Sequence, residues 1–244
     1  MTDVPAVVFD RVSKSFGAKQ VLNDVSLSVK AGEALCILGR SGTGKSVTLK
    51  LIISLLKPDT GKIWIEEDEI TKLGNAELSQ VRRKMGFLFQ DAALFDSHTV
   101  FDNLALPLER LTKKTPGEIE LIIDKVLTEV GLAGDKAKMP SQLSGGMRKR
   151  AGLARALVLE PKILLADEPS SGLDRITASE IDELLLKQKT EQKTTLIVVT
   201  HDVHGARRVA DRVAVLDRGK LVAHGTVAEV EGSESSVVRN LITG

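Results

Sequence analysis

The apolar run Ala34-Leu35-Cys36-Ile37-Leu38 leads straight into Gly39-Arg40-Ser41-Gly42-Thr43-Gly44-Lys45-Ser46, after which Val47–Ile53 continues with a helical pattern. A G-x-x-x-x-G-K-[ST] segment set between a strand and a helix restricts the chain to folds in which a glycine-rich turn closes on an anion. Glycines permit backbone conformations that aim successive N–H groups inward, and the helix N-terminus adds partial positive charge. A glycine turn that binds nothing is the plain alternative, and the flanking strand and helix weigh against it. As a phosphate-binding loop, the segment predicts that Lys45 reaches the β- and γ-phosphates of a nucleotide and that the Ser46 hydroxyl ligates Mg2+.

Around this loop, short β-branched runs alternate with helical stretches, which predicts an α/β fold. Strands are expected at Val7–Phe9, Val25–Val29, Ala34–Leu38, Ile63–Glu66, Gly86–Phe89, Ile163–Ala166, Thr195–Thr200, Val213–Leu216 and Leu221–Ala223. Three of them (Ala34–Leu38, Ile163–Ala166 and Thr195–Thr200) are almost continuously apolar, as central strands covered on both faces are. The early and late strands alternate more and read as an antiparallel flank. Between about Asp91 and Leu159 strand signals vanish, and Glu118–Val130 places Ile119, Ile122, Ile123, Val126, Leu127 and Val130 on one helical stripe with Gly131 as a stop. That stretch reads as a helical lobe inserted into an ATPase core. From Glu231 the sequence turns polar and ends in a short helix-like tail, Val237–Ile242.

Composition narrows the classes. The 244 residues suit one large domain or two joined lobes, and 42% apolar with 27% charged residues is a globular profile. A net charge of +1 supplies no strong field for nucleic acid or an anionic membrane. The single cysteine, Cys36, excludes an internal disulfide and reads as a small buried hydrophobe. Met1 to Phe9 lacks a secretory signal, and no window approaches the roughly 18 apolar residues of a spanning helix, so a cytosolic chain is expected whose membrane-crossing partners, if any, are separate.

Ile163-Leu164-Leu165-Ala166-Asp167-Glu168 is an apolar strand ending in two adjacent carboxylates. Alternate strand residues face opposite ways, so one can hold Mg2+ through its water shell while the other polarises an attacking water. A solvated strand end is the bland reading of the pair alone. Loop and carboxylates together indicate an NTPase without saying which kind. A Ser-Gly-Gly run at a helix start is a second anion-binding device: Leu143-Ser144-Gly145-Gly146-Met147, ahead of the helix Arg148–Leu159, offers a hydroxyl, free N–H groups and a positive dipole end, though it could be a mere N-cap.

At this point the chain resembles the ATP-binding cassette (ABC) family, whose signature is LSGGQ, over nearly everything from residue 5 to 230. The family's other elements occur in its order: Gln90 matches the Q-loop glutamine, Ser171-Gly172-Leu173-Asp174 the D-loop, and His201 the switch histidine, while Phe16 sits where the family stacks a ring on adenine. The resemblance implies a P-loop NTPase with a RecA-like core, an antiparallel β flank, a helical subdomain at about 91–159 and a tail at 231–244. It implies a homodimer in which each ATP lies between the loop Gly39–Ser46 of one subunit and Ser144, Gly145 and Gly146 of the other. Ser46, Gln90 and Asp167 would hold Mg2+. Glu168 would be the general base, Lys45 and His201 would contact the γ-phosphate, and Asp174 would bridge the two sites.

Three departures narrow the resemblance. Met147 replaces glutamine and is followed by Arg148-Lys149-Arg150-Ala151. The segment after Gln90 reads Asp91-Ala92-Ala93-Leu94-Phe95-Asp96-Ser97-His98, and the tail carries Val238-Arg239-Asn240-Leu241-Ile242. These look like the ATPase subunit of Mla/Mce-type phospholipid transporters, which maintain outer-membrane lipid asymmetry. That implies a multi-spanning permease, an MCE-domain substrate-binding protein, in some complexes a small STAS-domain subunit, and a peripheral place on the cytoplasmic face of the inner membrane. Arg175 stands where a proline is common after the D-loop aspartate. The rivals are an importer ATPase for polar solutes such as amino acids and a non-transport ABC ATPase acting on DNA or ribosomes. The last lacks its usual second cassette or coiled coil here, and with 3% aromatic residues and no basic stripe no nucleic-acid partner is expected.

Overall fold

The computed structural model describes residues 4–243, so Met1 to Asp3 and the last residue of the tail, Gly244, lie outside the described residues. Two long strands come first, β1 (Val7–Phe16) and β2 (Lys19–Val29). They are followed by β3 (Ala34–Leu38), helix α1 (Lys45–Ile52), β4 (Thr60–Ile65), the short β5 (Asp68–Glu69), α2 (Asn75–Arg82) and β6 (Met85–Leu88). Helices α3 (Val100–Leu111), α4 (Pro116–Glu129) and α5 (Gly145–Leu157) occupy the next stretch without a strand between them. The chain closes with β7 (Ile163–Asp167), α6 (Arg175–Gln192), β8 (Thr195–Thr200), α7 (Val203–Val209), β9 (Arg212–Asp217), β10 (Lys220–Thr226), α8 (Val227–Glu231) and α9 (Ser236–Thr243).

One sheet has the order β2-β1-β4-β5 and is antiparallel, and the other runs β10-β9-β3-β8-β7-β6. Alternation along the strands explains why the second sheet sits between two cores. Leu35 and Ile37 of β3, Ile163 and Leu165 of β7, and Ile197 and Val199 of β8 join Phe9, Leu22, Ile63, Leu49 and Ile52 on the side of the antiparallel sheet and α1. Their neighbours in sequence, Cys36, Leu38, Leu164, Ala166, Leu196 and Val198, join Leu104, Ile123, Leu127, Leu153 and Ile181 of the later helices. Cys36 is buried, and burial pushes its thiol up to about 12, the inert state expected of it.

The late strands correct the expectation of an antiparallel flank. Val213 and Val215 face one core while Ala214 and Leu216 face the other, and β9 pairs parallel to β3. It is as doubly buried as the central strands, so its apolar run is the signal that outweighs its late position. Only β10 is an antiparallel edge, joined to β9 through a tight turn in which Arg218 (φ 46°) and Gly219 (φ 77°) are both left-handed, as a hairpin with native strand twist requires. β1 and β2 extend well beyond Val7–Phe9 and Val25–Val29 because their outer halves pair with each other across Lys14↔Leu22 and Phe16↔Lys19, which a polar sequence does not advertise. In the tail, α9 packs on its own chain through the fully buried Val238. Among the described residues no helix is long and apolar enough to cross a membrane.

The layer of α6 and α7 contains an acid under tension. Asp182 on α6 is 6% exposed and lies beneath Gly205 of α7, close to Asp202 and Arg208. Burial pushes its carboxyl from 3.8 up to about 6; Arg208 opposes the rise, while the like charges of Asp202 and Glu183 add to it. The folded protein therefore holds this proton more tightly than the unfolded chain. The destabilising contribution grows as pH rises from the unfolded value and is complete above about 6. Asp182→Asn is expected to stabilise the fold at pH 7–8 by about 1–3 kcal/mol and to flatten the loss of stability between about pH 4 and pH 6, as measured by urea unfolding across that range.

Candidate active site

In the larger sheet β3, β8, β7 and β6 are neighbours and parallel, so their carboxyl ends emerge along one edge. Such an edge is where open α/β sheets place ligands. β3 delivers the glycine-rich loop into α1, β7 delivers Asp167 and Glu168, and β8 delivers His201. Gln90 was expected at the end of its strand; it lies two residues past β6, in an exposed turn, because pairing with β7 ends at Leu88↔Ala166.

Gly44 caps α1 with φ 106°, and a Cβ there would lie 2.8 Å from the Val21 carbonyl oxygen. Only glycine satisfies both conditions, which is why the loop can turn so tightly beneath β2. Thr43 Oγ1 donates to the Arg40 carbonyl at 2.9 Å. Lys45, 7% exposed, lies back across the loop, its Nζ donating to the carbonyls of Gly39 (2.8 Å) and Arg40 (3.3 Å) and standing 3.4 Å from Glu168 Oε1. Ser46 Oγ donates to Asp167 Oδ1 at 2.8 Å. Burial pushes the Asp167 carboxyl above the ordinary carboxylate range; the Ser46 bond pulls it down and the Glu168 charge adds to the rise. Among the described residues no group of three or more His, Cys, Asp or Glu could hold a metal. A hydroxyl beside a single carboxylate is instead the sparse, hard oxygen set that suits Mg2+ keeping its waters and nucleotide phosphates, so these residues fit that ion.

Glu168 departs from the expected strand alternation. It lies one residue beyond β7 with φ 47°, a left-handed backbone that non-glycine residues adopt at a cost and that gathers at functional sites. The conformation is pinned on both sides. Its N–H donates to the Val199 carbonyl (2.8 Å), and its own carbonyl accepts from Lys149 Nζ and Ser171 Oγ, each at 2.9 Å. The turn swings the side chain sideways along the strand ends. Its Oε2 accepts from Thr200 Oγ1 (3.1 Å) and the His201 N–H (3.3 Å) and lies 2.9 Å from His201 Nδ1.

A cleft of about 640 Å³ is lined by Phe16, Arg40, Ser41, Gly42, Gly44, Lys45, Ser46, Gln90, Glu168 and His201. Gly39, Thr43 and Asp167 stand behind that lining as supports. Phe16 forms the lip, 48% exposed, with Lys14 Nζ 5.5 Å from its ring centre. Lys19 and Val21 also line the cleft and belong to none of the motifs. In a cavity of about 690 Å³ at the opposite end of the sheet, Lys84 and Lys162 both pair with Glu66, at 2.6 Å and 3.1 Å.

Ser144, Gly145, Gly146 and Asp174 are not brought to this cleft. Ser144 caps α5 by accepting from the Met147 N–H (3.2 Å), and Asp174 caps α6 by accepting from Ile176 N–H, Thr177 N–H and Thr177 Oγ1. The two caps are neighbours, since a Cβ on Gly146 would lie 2.4 Å from Thr177 Cγ2. Lys149, which no motif singled out, is 6% exposed on the inner face of α5 with Gly146, Gly152, Leu153 and Ala156. A lysine on an apolar stripe at helical spacing is the signal that would have found it. Burial holds its ammonium below the usual lysine range. Gly146→Ala is expected to cost about 1–3 kcal/mol in denaturant unfolding. Adding Thr177→Ser, which removes Cγ2 and keeps the hydroxyl, should recover most of it. Gly145→Ala, whose Cβ meets nothing closer than 3.7 Å, serves as the neutral control.

Comparison with known proteins agrees with this geometry. Residues 22–171 match the family described as ABC transporter. The chain is 45% identical over 239 residues to the probable ribonucleotide transport ATP-binding protein mkl of Mycobacterium leprae, covering 98% of this chain and 69% of that protein. It is 42% identical to the methionine import ATP-binding protein MetN of Caulobacter vibrioides, covering 92% of this chain and 68% of the relative. The chain thus spans about two thirds of these relatives' lengths. The ATP-binding cassette MJ0796, solved as a dimer in a post-hydrolysis state with ADP and Pi, superposes with a TM-score of 0.85 at 34% identity over 91% of this chain and 98% of that one. By the family match over residues 22–171, the identity to these relatives and the shared fold, the chain belongs to the ABC transporter family, as an ATP-binding subunit with ATPase chemistry.

Proposed function

We propose that the chain hydrolyses MgATP in the cleft at the strand ends and that two copies complete each other's sites. The observation that carries the reading is the division of the motifs. The glycine-rich loop, Gln90, Glu168 and His201 share one cleft, while Ser144 to Gly146 and Asp174 lie outside it with their own helix caps. A helix N-terminus that cannot reach its own chain's cleft is free to close on a nucleotide held by another. The likeness to a cassette solved as a dimer supports the same arrangement.

In this reading the loop N–H groups and Lys45 hold the phosphates, Phe16 meets the adenine, and Ser46, Asp167 and Gln90 hold Mg2+. When bound, the ion neutralises charge at the β- and γ-phosphates. Lys45 Nζ stands 3.4 Å from Glu168 Oε1, so the cation that draws in the γ-phosphate and the carboxylate that takes the proton are side by side. The water oxygen forms a bond to the γ-phosphorus as the bond to the β,γ-bridging oxygen breaks. ADP leaves with that electron pair, and the water proton passes to Glu168. His201, with its side chain 66% exposed and its Nδ1 on Glu168, orients the carboxylate and faces the γ-phosphate. Asp174 would link the two sites, and the helical stretch 91–159, within a nucleotide-binding domain at 5–230, would pass the motion to a permease.

The cargo we propose is phospholipid, on the cytoplasmic face of the inner membrane, with a permease, an MCE-domain protein and a STAS-domain subunit as partners. Met147, the Asp91–His98 segment and the tail support it. An importer of polar solutes is the second reading, favoured by 42% identity to a protein named for methionine import. Affinity purification of the complex separates them: an MCE protein supports lipid transport, and a soluble solute receptor in its place counts for the importer. Glu168→Gln is expected to retain nucleotide binding while phosphate release falls by roughly a hundredfold to ten-thousandfold. Lys45→Ala should weaken nucleotide affinity in a titration, and an unchanged value would remove the loop from its assigned role.

A further inference from the structure

Helix α5 grips the site from behind at two places. Near its end, Arg155 donates through Nη1 to the Ala93 carbonyl (2.6 Å) and through Nη2 to the Ala92 carbonyl (2.8 Å). Ala92 and Ala93 have φ of 60° and 49°, a left-handed pair that no ordinary sheet or helix bond maintains. Ala92 fits there because Gly152 of α5 has no side chain, and a Cβ at that position would lie 2.8 Å from Ala92 Cβ. One turn after the Ser144 cap, Lys149 Nζ donates to the carbonyls of Gln90 and Glu168 (the latter at 2.9 Å) and to Ser171 Oγ at 3.3 Å. The three N–H donors of one buried ammonium thus tie α5 to two loops, the one after β6 and the one between β7 and α6, and none of the acceptors is a carboxylate.

We propose that Lys149 is a positioning residue for ATP hydrolysis, tying the helix that presents Ser144 to the backbones of Gln90 and Glu168 in the same subunit. The proposal rests on the hydrolytic reading above. Its physical basis is that a buried cation bonded only to neutral acceptors adds little to stability compared with an apolar side chain, yet fixes geometry in three directions. Glu168 needs such fixing, since among the described residues its left-handed backbone is restrained by the Val199 carbonyl, Lys149 and Ser171 alone. When a partner's nucleotide closes on Ser144 to Gly146, any movement of α5 is transmitted through Lys149 to the loop holding Gln90 and to the carboxylate that takes the proton. Occupancy of one composite site thereby sets the geometry of the other through a single helix.

The test compares the full chain with its Lys149→Met and Lys149→Gln forms in steady-state phosphate release, nucleotide titration and thermal unfolding. Lys149→Met is expected to lower kcat at least about tenfold while nucleotide affinity stays within about twofold, because Lys45 and the loop are untouched. Lys149→Gln, which can still donate to two of the three acceptors, should recover part of the loss, and it reports on the proposal if the methionine form does not fold. A Lys149→Met or Lys149→Gln protein with unaltered kcat overturns the proposal, as does a fall in kcat matched by equal losses of affinity and thermal stability. Undiminished phosphate release from Glu168→Gln would instead sink the hydrolytic reading, and the proposal with it.

Discussion

Burial of one parallel sheet on both faces is the constraint from which the rest follows. A strand covered on both sides must be apolar at every position, and it cannot place polar chemistry along its length. β3, β7 and β8 obey this, with each of their residues in one of the two cores or at a terminus. Polar function is therefore displaced to the strand ends. Because these strands are parallel and adjacent, their ends lie on a single edge where the loop, two carboxylates and a histidine meet.

That edge concentrates charges that would be costly anywhere else. Lys45, Asp167, Glu168 and Lys149 are all less than 9% exposed, and each has specific partners: backbone carbonyls, the Ser46 hydroxyl, or the pair of Thr200 and His201. Isolated, such groups would destabilise the fold by several kcal/mol apiece. Satisfied in this way, they hold positions more tightly than apolar packing could, and the left-handed Glu168 is where the strain of the arrangement gathers.

Much of this was legible in the residues. The glycine-rich loop between strand and helix and the apolar runs of β3, β7 and β8 have spacings that only a few structures satisfy, and two of those strands run just where their apolar residues do, Ala34–Leu38 and Thr195–Thr200. Long-range effects were not legible. β9 looks like a flank because its burial on both faces depends on which strand it meets. The φ of Glu168 depends on Val199, Lys149 and Ser171, from 3 to 31 positions away. Lys149 reads as one cation in the run Arg148-Lys149-Arg150, and only helical phase separates it from the exposed Arg148 and the half-buried Arg150. The contact of Gly146 with Thr177 joins two motifs that are far apart in sequence and silent about each other.

The ion pair between Lys45 and Glu168 has a consequence for how a ligand enters. The side chains of both partners are at most 10% exposed, and they lie 3.4 Å apart. A phosphate arriving at Lys45 does not meet a bare cation; it displaces a resident carboxylate and exchanges one anion for another. The field of the cleft is thus muted, and in the proposed mechanism Glu168 competes for the charge that the reaction requires. Removing its charge would, in that mechanism, abolish the proton acceptor and, by the same stroke, take away the nucleotide's rival.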